Sequence, residues 1–82
     1  MSRLRLVPFG TLAKVAEARG FQRVRQQGSH TIFRDASGKI IVIPNHGSKD
    51  IVRPLLRKIL RDMGVSPEDY EKLLKELVVV DK

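Results

Sequence analysis

Apolar side chains recur with helical spacing near the start of the chain. Phe9, Leu12, Ala13 and Ala16 follow the i, i+3, i+4, i+7 pattern of one helix face, while Lys14, Glu17 and Arg19 take outward positions. Pro8 favours a helix start just after it, and Gly20 suits the left-handed position that ends one, so the spacing predicts a helix over about residues 9–19. The period then changes. Phe21 to Gln26, Ser29 to Arg34 and Lys39 to Ile43 read as three strands, with Gln27-Gly28 as the first turn and Asp35-Ala36-Ser37-Gly38 as the second. Pro44 stops the third strand. Alternation puts Thr31 and Phe33 on one face of the second strand, and His30, Ile32 and Arg34 on the other. In the third strand Ile41 and Ile43 share a face, opposite Ile40 and Val42.

A polar loop, Asn45 to Asp50, precedes a second helix opened by Arg53-Pro54 and ended by Gly64, with Leu56, Ile59, Leu60 and Met63 as its apolar stripe. Ser66-Pro67-Glu68-Asp69 starts a third helix: a serine cap, proline at the first position, then acids at the positive end of the dipole. Tyr70, Leu73, Leu74 and Leu77 supply its apolar face, and the β-prone Val78-Val79-Val80 frames a short extension or a partner contact. Short loops between strands favour an antiparallel meander. The expected fold class is α+β: a two-layer domain with helices one and two on one face of a three-stranded sheet and a third helix at the C-terminus.

Eighty-two residues make one small domain, spanning 1–82 with its core at about 9–64 and the third helix and tail at 65–82. There is no cysteine, so neither a disulfide framework nor a cysteine–zinc site braces it. No apolar run approaches the roughly 20 residues of a membrane helix, and the start is too short in apolar residues for a signal peptide. The chain reads as soluble and cytoplasmic, with no membrane contact. Its net charge of +7 is unevenly spread: residues 1–62 carry 13 Lys or Arg against four Asp or Glu, and residues 63–82 carry three against five. A basic body with an acidic tail suits a polyanion binder.

Candidate chemistry gathers around Gly28-Ser29-His30. Gly28 lets the backbone turn or approach a partner closely. Ser29 suits turn geometry or a hydrogen bond to phosphate. An imidazole exchanges a proton near neutral pH, and arginines attract phosphate and neutralise it. RNA carries its own nucleophile, the 2′-OH, so His30 as general base or acid, beside Arg or Lys that stabilise the added charge, is enough for cleavage without a metal or other cofactor. DNA lacks that hydroxyl. Arg23, Arg25 and Lys39 are candidates for RNA contact beside His30, and Arg53, Arg57 and Lys58 are candidates on the second helix; each reads equally as part of a solvated face. His46, in the loop after the third strand, is either a second acid–base group, a phosphate contact or a plain loop residue. Ile32, Ile40 and Val42 would form an apolar patch on the sheet face away from the helices, either an interface for a homodimer or partner or a surface covered by the third helix or the tail.

At these residues the chain resembles the HicA family of bacterial toxin endoribonucleases. The resemblance is carried by the helix ending at Gly20-Phe21, by Val24-Arg25-Gln26-Gln27-Gly28-Ser29-His30 and then Phe33, by Ile41-Val42-Ile43-Pro44 followed by His46, and by Leu56-Arg57-Lys58-Ile59-Leu60 before Gly64-Val65. It covers roughly residues 9–64. It implies a fold like the double-stranded-RNA-binding domain, mRNA cleavage within a toxin–antitoxin pair, and a HicB-like antitoxin as the neutralising partner. The family's functional histidine carries over to His30. Family members often have Pro-x-Gly-Thr before the second helix, where this chain has Val52-Arg53-Pro54-Leu55. A non-catalytic double-stranded-RNA-binding module is the alternative reading of the same fold and charge.

Overall fold

The computed structural model describes residues 4–80, with side chains through residue 77. The order is α1 (Phe9–Ala18), β1 (Gln22–Gln27), β2 (His30–Arg34), β3 (Ile40–Pro44), α2 (Arg53–Met63) and α3 (Pro67–Val80). The three strands form one antiparallel sheet in the order β1-β2-β3, so the α+β fold expected from the pattern is present.

Each helix end has a local cause. Gly20 takes φ +92°, letting its N–H donate to the Glu17 carbonyl and the Phe21 N–H donate to the Ala16 carbonyl, both at 3.0 Å. This paired closure satisfies carbonyls left open at a helix end and buries Phe21. Gly64 repeats the device after α2 at φ +77°, where the Val65 N–H reaches the Leu60 carbonyl at 2.9 Å. α2 itself starts without a side-chain cap, since Val52 precedes it and Pro54 sits in its first turn. α3 has the serine cap: Ser66 Oγ accepts from the Asp69 N–H at 3.1 Å. Val78 to Val80 continue this helix instead of extending, because adding residues to a nucleated helix gains one hydrogen bond per residue fixed.

The hairpin between β1 and β2 turns at Gly28-Ser29, one residue later than the pattern suggests, and Gln27 pairs with His30. Gly28 has φ +57° and no other residue type takes a positive φ among the described residues, which fits a two-residue turn whose first central position must be left-handed. The Asp35 carboxylate organises the other hairpin, accepting from the Ser37 hydroxyl at 2.7 Å and the Ser37 and Lys39 N–H groups at 3.0 and 2.8 Å. The Ser37 hydroxyl bond leads the causes that hold this carboxyl below its ordinary value.

One cluster of buried side chains joins the layers. Phe33, Ile41 and Ile43 on the sheet meet Leu12, Val15 and Ala16 of α1 and Leu56, Ile59, Leu60 and Met63 of α2. α3 packs against α1 through the same cluster, with Tyr70 and Leu74 buried. Tyr70 donates to the Arg5 carbonyl at 2.6 Å, and burial pushes its phenol up to about 12.

Candidate active site

His30 begins β2, just after the left-handed Gly28 and the Ser29 turn. Thr31 and Phe33 are fully buried, while His30 and Arg34 are exposed and Ile32 half-exposed. The histidine therefore stands on the sheet face away from α1 and α2. Cross-strand pairing builds this face in three rows: Gln27, His30 and Pro44; then Arg25, Ile32 and Val42; then Gln22, Arg34 and Ile40. Successive rows on one face are separated by two residues, about 7 Å along the strand. Arg25 is thus one row from His30 and Arg34 two.

A bulge at Val24 decides which arginines share that face. The register slips between Arg23 and Arg25, so Arg25 opposes Ile32 whereas Arg23 opposes the inward-facing Phe33. The Arg23 guanidinium lies 5.4 Å from the Phe9 ring centre and 5.7 Å from that of Phe33. It covers the edge of the core by cation–π contact.

The remaining cations disperse. Lys39 stands at the far end of β3, with its Nζ beside Gly64. Arg53 donates from Nη1 to the Leu4 carbonyl at 2.6 Å. Arg57 lies with Leu4, Arg61, Val65 and Pro67 on the α2–α3 side, and Lys58 pairs with Asp62 at 2.8 Å. Of the residues singled out in the sequence, the structure gathers His30, Gly28, Ser29, Arg25 and His46 near one end of the open face, keeps Ile32, Ile40 and Val42 on that face, and places Arg23, Lys39, Arg53, Arg57 and Lys58 elsewhere.

At that end lies a concavity of about 430 Å³, lined by His30, His46 and Lys49 together with Pro44, Val52 and Leu55. Lys49 was not singled out by pattern, since a lysine in a polar loop carries no periodic signal. Arg34 was legible as a neighbour of His30, because alternation alone puts it on the same face. Beyond the concavity the open face mixes Arg25 and Arg34 with exposed apolar side chains, Ile40 at 56% and Val42 at 42%. The described side chains of α3 pack on the opposite side, against the core. Among the described residues, no three His, Asp or Glu side chains group closely enough to hold a metal ion, and no helix is long and apolar enough to cross a membrane.

Fold and site define an open-faced α+β protein whose candidate chemistry sits where the first hairpin meets the loop after β3. A family model for the HicA toxin of bacterial toxin–antitoxin systems matches residues 10–65, and the chain belongs to that family. It is the toxin component of such a system, with an antitoxin as partner. No curated protein matches the chain.

Proposed function

We propose that this toxin is an endoribonuclease that cuts mRNA by attack of the 2′-OH, with His30 as the proton-transfer group. The carrying observation is the position of His30: exposed, at the start of a strand whose next residue is fully buried, on a sheet face that no described helix covers, one row from Arg25. A rigid strand holds the imidazole and solvent leaves it open to a polymer, which suits acid–base work on a backbone. The substrate supplies the nucleophile, so the reaction asks of the protein a proton acceptor and a positive surround. The products are a 2′,3′-cyclic phosphate and a 5′-hydroxyl, and no metal is needed. A HicB-like antitoxin blocks most directly by covering His30 and the adjoining face of Val42 and Ile40. A second copy of the chain is the other occupant of that face, and a monomer in sedimentation removes it.

The test is cleavage of a mixed-sequence RNA in EDTA by the protein and by His30→Ala, the variant shown folded by circular dichroism. Cutting by the parent, with loss of about 10²–10⁴-fold in the variant and no cutting of fully 2′-O-methylated RNA, is expected. If neither protein cuts but both bind RNA, the binding-module reading replaces the enzyme.

A further inference from the structure

The chain leaving β3 is fixed against the His30 turn. The Asn45 N–H donates to the Ser29 carbonyl at 2.6 Å, and Asn45 Oδ1 accepts from the Gly47 N–H at 3.0 Å. The Lys49 N–H returns to the His46 carbonyl at 3.3 Å, and the Ile51 N–H closes on the Val7 carbonyl at 2.9 Å. Gly47, at φ +66°, permits the turn. These bonds hold His46 and Lys49 on the wall of the concavity that His30 also lines. Pro44, Ile51, Val52 and Leu55 supply its apolar walls and Asp50 a charged one.

We infer that His46 is the second catalytic residue, the general acid that protonates the leaving 5′-oxygen, with Lys49 stabilising the charged phosphoryl oxygens. The inference rests on the ribonuclease reading above. In-line displacement places the attacking 2′-oxygen and the leaving 5′-oxygen on opposite sides of phosphorus. A base on the attacking side is badly placed to protonate the leaving group in the same step, so a second group serves the other side. The step balances: the 2′-OH proton passes to neutral His30, the 2′-O–P bond forms, the P–O5′ bond breaks, and the proton of the His46 imidazolium goes to the 5′-oxygen. His30 ends protonated and His46 neutral, and exchange with solvent restores both. Asp50 also borders the concavity, so the test below includes an Asp50 variant.

The test compares two short RNAs with one scissile linkage, in which the leaving atom is the natural 5′-oxygen or a 5′-bridging sulfur. A thiolate leaves without a proton because its conjugate acid is far stronger than an alcohol. His46→Ala is expected to cut the oxygen RNA about 10²–10⁴-fold more slowly and the sulfur RNA within about tenfold of the parent rate, whereas His30→Ala loses both. His46→Gln, which keeps a hydrogen-bonding side chain but no titrating proton, should behave as His46→Ala, and Asp50→Asn should keep the parent's oxygen-to-sulfur ratio. Equal losses on the two RNAs for His46→Ala and His46→Gln, or no loss, overturn the assignment. Sulfur rescue of Asp50→Asn or His30→Ala instead of the His46 variants overturns it too. If the parent cuts neither RNA, the ribonuclease reading fails in the parent itself and the role of His46 fails with it, whereas a failure confined to the variants touches His46 alone.

Discussion

Arg53 and Leu4 are joined by a 2.6 Å hydrogen bond from the guanidinium Nη1 to the backbone carbonyl. Forty-nine positions separate them, and the bond ties the segment before α1 to the first turn of α2. The arginine is half-buried there, so its charge serves the fold. Arg53→Ala should lower stability by about 1.5–3 kcal/mol, the range for hydrogen bonds to charged groups, measured as a shift in the urea midpoint. An unchanged midpoint would mean that the bond contributes nothing net.

Arg25 and Arg57 should separate in RNA binding. Arg25 shares the open face with His30, while Arg57 sits on the α2–α3 side. If the open face holds the backbone, Arg25→Ala flattens the slope of log K against log salt by about 0.7, the value for one single-strand phosphate contact. Arg57→Ala should leave the slope as it was. Fluorescence anisotropy across a salt series reads both, and a larger effect from Arg57 would move the interface to the helices.

Tyr70 sets an alkaline limit. Its phenol rises from 10.0 to about 12, chiefly through burial, with the nearby Arg5 charge opposing. The neutral form is the one favoured in the folded state. Its contribution is therefore fully present below pH 10 and is lost as pH climbs toward 12. Stability followed by denaturant between pH 9 and about 12 should fall across that window, and Tyr70→Phe should flatten the fall while leaving the Arg5 carbonyl without its donor, at a cost of about 1 kcal/mol at neutral pH.

Thr31 carries a buried hydroxyl with no hydrogen-bond partner among the described residues. Leaving such a group unpaired costs roughly 1–3 kcal/mol, and valine has nearly its shape. Thr31→Val should therefore be neutral or more stable by up to about 1 kcal/mol, with the cleavage proposed for the adjacent His30 unchanged. A destabilised variant would show that the hydroxyl is bonded in solution.

Much of this architecture was legible from near neighbours. The period of Phe9, Leu12, Ala13 and Ala16 marked α1, the glycines at 20 and 64 marked helix ends, and Ser66-Pro67 marked the start of α3. Alternation in β2 and β3 assigned the two faces correctly, including the exposure of His30 and Val42. These features follow from backbone geometry acting over a few residues, so the sequence by itself determines them. The Val24 bulge is different: strict alternation would put Arg23 and Arg25 on one face, and only the pairing with β2 sends Arg23 inward over Phe9 and Phe33. The same holds for Arg53 on Leu4, Tyr70 on Arg5, and the meeting of His30, His46 and Lys49 around one concavity. Each depends on where a distant backbone acceptor or loop comes to rest once the core is packed. No local period encodes that position, so the tertiary structure decides it.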